Sequence, residues 1–340
     1  MRKRVVIINK YGALHPSATG RPVRKLADYL WENGVDVIVL SIHASYKGQV
    51  SQQHEKLPYR TIELPDFYSG ANKYLRLLGN LVDGFRLIFF SMLLPHHQLK
   101  VVLTDPSLIN VWAILFRPLF RSKLAFWTMD LYPEAFVSAE LVSRHNPAYR
   151  MISSFVYQHV PDFLVALGEQ QYQYLCRQYK QSFIPHIILP CGVCREKATA
   201  EPCWRKANRG KIIFCYAGNI GEAHNDVFLL ELIRQLDPEK HLILLRLYGV
   251  KARRILDEAS VFRSVIILDY IAPAEMQYVD ICVASLLPAW NHVCVPSKVV
   301  SAICYGLPVL YNANEESEGA CMFPDAIWLL PDTGNMPEMV

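Results

Sequence analysis

A chain of 340 residues, 52% hydrophobic and 19% charged, is long enough for two domains and too rich in core-forming residues to be disordered. Its net charge of +4 conceals an asymmetry: residues 1–190 carry 21 Lys and Arg against 13 Asp and Glu, and residues 191–340 carry 14 against 18. The first half therefore suits an anionic partner, and no repeat, low-complexity tract or nucleic-acid motif points elsewhere.

The run Val5-Val6-Ile7-Ile8-Asn9 is too short for the core of a signal peptide and predicts a buried first strand. Further short apolar stretches at 35–41, 101–104, 123–128, 163–167 and 186–190 predict strands. Helical periodicity fills 22–33, 70–94, 107–119, 147–160 and 169–180 between them. The pattern resumes with strands near 211–217, 241–248, 264–268, 281–286 and 308–311, and helices near 226–236, 251–260, 273–278 and 297–305. Residues 191–210, polar and charged with Pro202, read as a linker. Strands alternating with helices predict parallel sheets covered on both faces. The expected organisation is α/β: two doubly wound, Rossmann-like domains, 1–190 and 211–340, facing a cleft.

The stretch Leu75–Leu94 has the length of a membrane span, but Arg76, Asp83 and Arg86 interrupt it. Lys73, Arg76, Arg86, Lys100, Arg117, Arg121 and Lys123 surround it and the helix that follows. Two readings stand: residues 73–123 lie on an anionic membrane surface, or the helix is buried with its charges solvated at the ends. Nine cysteines without an export signal are read as reduced thiols of a cytoplasmic protein, peripheral to the inner membrane face on the first reading. Cys191, Cys194 and Cys203 lack a fourth ligand and paired spacing, so no metal is expected there.

In doubly wound folds the chemistry sits in loops at the carboxyl ends of the strands. Four such loops stand out. The first, Tyr11–Pro22, has small residues, Gly20 among them, ahead of a helix; the second is Asp130-Leu131-Tyr132-Pro133-Glu134, with two carboxylates just beyond an apolar run. The third, Tyr216-Ala217-Gly218-Asn219-Ile220-Gly221, lies between a strand and a helix, as a phosphate cradle does. The fourth, Val295-Pro296-Ser297-Lys298, opens a helix ending at Gly306-Leu307-Pro308-Val309, where a helix N-terminus with Ser and Lys suits a diphosphate. Taken singly, a Gly-x-x-Gly turn, a capping Ser297 or a surface pairing of Asp130 and Glu134 with Arg144 is ordinary structure. Glu315, Glu316 and Glu318 read equally as sugar ligands or as a solvated loop.

Together these passages resemble family 4 of the retaining glycosyltransferases, of GT-B fold, over roughly residues 4–311, and most of all its bacterial polysaccharide and lipid-linked glycan branch. The resemblance implies metal-independent transfer, with retention, from a nucleotide-diphosphate sugar in the C-terminal domain to a glycan or lipid-linked acceptor at the N-terminal domain. It implies catalytic Asp130, Glu134 and Lys298, and donor contacts from Gly20, Gly218, Asn219, Gly221, His224, Pro296, Ser297 and Ser301. No metal or other cofactor and no nucleic acid is expected. The chain also departs from the family: the usual Arg and Lys of the phosphate loop are Asn219 and His224, and the paired glutamates fall at Val293 and Ser301. A nucleotide-sugar epimerase of the same architecture and a non-catalytic glycan-binding member are the alternative readings.

Overall fold

The computed structural model describes residues 3–15, 17, 19–43, 56–68, 70, 72–192, 196–198 and 200–331. The chain divides into two compact units, Met1–Leu189 and Pro190–Val340.

The first unit is a seven-stranded parallel sheet. Its strands are β1 (Arg4–Ile8), β2 (Asp36–His43), β3 (Arg60–Pro65), β4 (Leu99–Val102), β5 (Lys123–Trp127), β6 (Phe163–Ala166) and β7 (His186–Ile188). They run in the order β3-β2-β1-β4-β5-β6-β7. Helices α1 (Gly20–Glu32), α2 (Lys73–Met92), α3 (Ile109–Phe116), α4 (Glu134–Ser138), α5 (Pro147–Tyr157) and α6 (Glu169–Tyr179) connect them. Val6, Ile7, Ile8, Val39, Leu40 and Leu164 are fully buried, because a parallel strand covered on both faces needs an unbroken apolar run. Burying each such side chain stabilises the fold by about 1.5–3 kcal/mol.

Helix α2 settles how its interrupting charges are used. Asp83 is fully buried and sits between Lys10 Nζ, at 3.7 Å, and Arg86 Nη1, at 3.1 Å, while Lys10 also donates to Asn80 Oδ1 at 3.1 Å. Burial and the neighbouring Asp66 carboxyl push Asp83 up to about 6. These residues pin one face of α2 to the end of β1. The opposite face is apolar and exposed, with Tyr74 at 73%, Leu93 at 67%, and Leu75, Leu77, Leu78, Phe85, Phe89 and Phe90 between them. Leu115 of α3 and Leu119 just after it are exposed as well. Among the described residues no helix is long and apolar enough to cross a membrane.

The surrounding cations are fewer at the surface than the sequence suggests. Arg117 pairs with Asp162 at 3.0 Å, and Lys100 is buried against His97 and the ring of Phe120, its ammonium pushed down to about 8 by desolvation. Arg76, Arg121 and Lys123 are exposed.

The second unit begins with a helical turn, α7 (Cys203–Lys206), inside the stretch read as a linker. Trp204 is buried there, and Arg205 bonds Asp280 at 3.0 Å. Its six-stranded parallel sheet comprises β8 (Ile212–Asn219), β9 (His241–Tyr248), β10 (Val265–Ile267), β11 (Ile281–Ser285), β12 (Val309–Asn312) and β13 (Ile327–Leu330), in the order β10-β9-β8-β11-β12-β13. Helices α8 (Asp226–Gln235), α9 (Ala252–Ala259), α10 (Ser297–Tyr305) and α11 (Glu318–Met322) complete it. Phe214, Tyr216, Phe228, Leu229, Ile233, Ile243, Leu245 and Ile255 share one core between β8, β9, α8 and α9.

Besides the short helices α4, α7 and α11, which the sequence did not predict, three further elements differ from expectation. Strands β3 and β13 were not expected; both are sheet edges, half exposed, without the continuous apolar run that betrays a central strand. Residues 273–278 form a 3-10 turn begun by Pro273 instead of an α-helix.

Candidate functional site

In each sheet the chain reverses its direction of growth at one place, between β1 and β4 in the first unit and between β8 and β11 in the second. Loops diverge there and leave a crevice at the carboxyl ends of the strands.

In the second unit the crevice is bordered by the loop after β8 and by α10. The loop is tied to β11 by Asn225 N–H donating to Ser285 Oγ at 3.0 Å and by Leu287 N–H donating to the Ala223 carbonyl at 2.9 Å. Gly218, the penultimate residue of β8, has φ 132°, a conformation that side chains rarely adopt, and a Cβ there would stand 3.1 Å from Lys298 Cε. The Lys298 stem therefore crosses directly over the glycine. Its ammonium lies 5.3 Å from the centre of the buried Tyr216 ring and 2.9 Å from His224 Nε2.

His224 is buried, with Nδ1 receiving the Gly221 N–H at 3.2 Å and its carbonyl receiving Lys251 Nζ at 2.6 Å. Burial first, then the charges of Lys298 and Lys251, hold its imidazole well below the ordinary range, so the ring is neutral at pH 7. Lys251 is itself balanced by Asp226 at 3.2 Å.

Asn219 and Gly221 are partly exposed on the rim of the same loop. Pro296 is buried at the N-cap of α10 and Ser297 is exposed in its first turn, where no capping side-chain bond forms among the described residues. A helix start of this kind leaves amide N–H groups and a partial positive charge facing outward. Ser301 lies one turn further on, partly exposed, and Val293 is buried. Gly218, Asn219, Gly221, His224, Pro296, Ser297 and Lys298 thus gather around one crevice. Glu315 and Glu316 line a cavity of ≈ 300 Å³ with Pro288, Asn314 and Pro331, whereas Glu318 is only 1% exposed.

The first unit distributes its expected residues differently. Gly20 opens α1, and its N–H is already taken by Ser17 Oγ at 3.0 Å. A Cβ at Gly20 would collide with the carbonyl oxygens of His15 and Gly12, so this glycine lets the loop fold upon itself. His15 is buried, and its Nδ1 accepts the Ser17 N–H at 3.1 Å.

Glu134 points inward. Its Oε1 accepts from Tyr157 at 2.5 Å and Tyr174 at 3.5 Å, and burial raises its carboxyl above the usual range. Burial and that same carboxyl in turn push Tyr157, Tyr174 and Tyr179 upward.

Asp130 stays at the carboxyl edge, half-buried, with its N–H donating to Thr104 Oγ1 at 3.2 Å. Desolvation, then the charge of Asp105, pushes it up to about 7. Sequence reasoning missed Asp105. It follows β4 at the reversal point, its Oδ2 accepting from Thr19 Oγ1 at 3.3 Å and its carbonyl from Lys10 N–H at 2.8 Å. A carboxylate directly before a proline, just past a buried strand, was the available signal.

Among the described residues no three His, Cys, Asp or Glu side chains are arranged to hold a metal ion; Cys194 lies outside the described residues.

No protein-family model and no curated protein matches the chain. Solved structures do, at low identity. A sucrose-phosphate synthase from Thermosynechococcus elongatus superposes with a TM-score of 0.71 at 14% identity, covering 98% of this chain and 86% of that one. An α,α-trehalose-phosphate synthase (UDP-forming) from Burkholderia vietnamiensis gives 0.66 at 12%, with 97% and 86% covered. HepE from Anabaena, in complex with UDP, gives 0.62 at 13%, with the same coverage. The architecture is the two-domain GT-B fold of glycosyltransferases.

Proposed function

We propose that the protein is a glycosyltransferase: the second unit binds a nucleotide-diphosphate sugar, and the first unit presents a hydroxyl of a glycan or lipid-linked acceptor. The carrying observation is the Lys298 ammonium held over Gly218, beside the first turn of α10, at the reversal point of the second sheet. Negative charge grows on the diphosphate as the glycosidic bond breaks, and preorganised donors aimed at that charge lower the barrier. Lys298, the amide of Asn219 and the α10 N-terminus supply such donors close at hand. The reading is supported by structures of the same fold, one of them in complex with UDP. The finer expectations, retention and independence of a metal ion, belong to this proposal.

Thermal shift with UDP, GDP and ADP tests it. A ligand that binds the native state alone stabilises it by about 2.7 kcal/mol at 100 times its Kd, so Tm should rise with the concentration of one of them. If none raises Tm and calorimetry detects no binding, the proposal fails.

The acceptor side of the reading extends to a membrane. Between residues 73 and 123 the chain holds two carboxylates, Asp83 and Asp105. The first is fully buried and the second is set into the sheet edge, so the outer surface offers exposed apolar side chains with Arg76, Arg121 and Lys123 and no exposed acid. Apolar surface and cations of this kind match an anionic bilayer and support the reading proposed here, an enzyme peripheral to the cytoplasmic leaflet near a lipid-linked acceptor.

A further inference from the structure

We propose that Asp105 and Asp130 form a single carboxyl pair that receives the acceptor hydroxyl, Asp130 as the catalytic residue that takes its proton and Asp105 as the positioning residue behind it. The inference rests on the glycosyltransferase reading and adds to it a residue that the sequence pattern did not reveal.

Strand order brings the two together. β4 and β5 are neighbours in register, Val102 opposite Phe126, so Asp105, three residues past β4, and Asp130, three past β5, emerge at the same level of the sheet. The loops are laced to one another: Thr104 Oγ1 accepts the Asp130 N–H at 3.2 Å, and Thr19, from the loop after β1, donates to Asp105 Oδ2 at 3.3 Å. Asp105 flanks the crevice where the first sheet reverses direction, the place where this class of sheet binds ligands, and Asp130 follows the next strand, β5. Both keep partial exposure, so a hydroxyl can reach them, while the tyrosine-bound Glu134 of the same motif turns away.

The charged groups facing the pair are few among the described residues. Lys10 lowers the proton affinity of Asp105 and is shared with Asp66 and Asp83, and Asp105 raises that of Asp130. Two carboxylates whose charges act on one another do not both ionise freely, and the one without a cation retains its proton longer. Asp130 at about 7 is matched to accept and release a proton near neutrality.

In the transfer step the acceptor oxygen forms a bond to the anomeric carbon on the face from which the diphosphate departs, so that configuration is retained, and its proton passes to the Asp130 carboxylate. The bond from that carbon to the phosphate oxygen breaks, its electron pair leaving with the nucleoside diphosphate. Asp130 then returns the proton to solvent.

The test is a pH titration of the full chain labelled with ¹³C at aspartate carboxyls. One aspartate should titrate near pH 7, vanish in Asp130→Asn, and move down by about one unit in Asp105→Asn. Thr19→Val, which removes only a hydroxyl, substitutes if Asp105→Asn does not fold; loss of this donor raises Asp105 and should displace the same titration. No aspartate titrating above pH 6, or an unchanged titration in the folded variant, overturns the inference even where UDP or GDP binds. In the enzyme, Asp130→Asn should lower turnover by about 10²-fold or more with nucleotide affinity within about twofold of wild type. Retained turnover would overturn it too. Absence of nucleotide binding in the wild type counts instead against the glycosyltransferase reading, and the titration is independent of it.

Discussion

The Lys298 ammonium stands 2.9 Å from Nε2 of His224, a residue from the opposite border of the same crevice. A neutral imidazole has one acceptor nitrogen, and two donors compete for it: the ammonium at Nε2 and the Gly221 N–H at Nδ1, 3.2 Å away. The ring accepts from one of the two at a time, according to which nitrogen carries its proton. When an anion draws the ammonium away, the ring can accept from Gly221 instead and turn Nε2–H toward the ligand. His224 thus holds the lysine, and on the proposed reading it becomes a second donor to the diphosphate.

Lys298→Ala should weaken nucleoside diphosphate binding by about 10- to 100-fold, the range of a charge-assisted contact. His224→Phe should weaken it less, by about three- to tenfold, and His224→Gln should recover most of that loss because its amide both accepts and donates. Calorimetry with the nucleotide found by thermal shift is the measurement. Equal affinity in wild type and Lys298→Ala would show that the cation is elsewhere.

Gly218→Ala places a Cβ at φ 132° and 3.1 Å from Lys298 Cε. It should cost about 1–3 kcal/mol of stability and reduce nucleotide affinity together. Chemical denaturation and calorimetry on the same preparation read both quantities.

Asp83 has its folded-state value raised from 3.8 to about 6. The native state therefore binds more protons than the unfolded chain in that interval, and this contribution to stability is present below pH 4 and lost as pH rises through 6. Asp83→Asn removes the dependence. The variant should gain on the wild type by roughly 1–3 kcal/mol between pH 4 and pH 7, visible in paired denaturation curves. A constant difference across that window would contradict the assignment.

Tyr157 donates to Glu134 at 2.5 Å inside a buried cluster. Tyr157→Phe should lower stability by about 1–3 kcal/mol, since a buried carboxyl loses its shortest hydrogen bond, and should leave nucleotide affinity unchanged. A loss of affinity without a change in Tm would instead make Glu134 part of the donor site.

Phe89→Asp with Phe90→Asp should abolish sedimentation with phosphatidylglycerol vesicles, and raising the salt should weaken wild-type binding. Phosphatidylcholine vesicles should retain much less protein. Light scattering of the wild type decides between a lipid and a second copy on this face: a dimer broken by the same substitutions would exclude the membrane reading.

Much of this was legible in the residues themselves. Alternating apolar runs and helical periods foretold two parallel-sheet units, since a strand covered on both faces must be apolar throughout, and the loops after β1, β5 and β8 were marked by their glycines and carboxylates. Edge strands β3 and β13 escaped because half-exposed strands mix polar with apolar residues.

What local pattern does not encode is which loops meet. Asp83 reads in the chain as an interruption of an apolar helix, and the fold makes it the buried partner of Lys10, more than seventy residues away. Glu134 and Asp130 look alike in one motif, yet one faces tyrosines and the other the sheet edge. Asp105 joins Asp130, and His224 joins Lys298, through the order of strands. Residue type and periodicity fix what each segment can become; strand order alone sets the distances between charges, and with them proton affinity and chemistry.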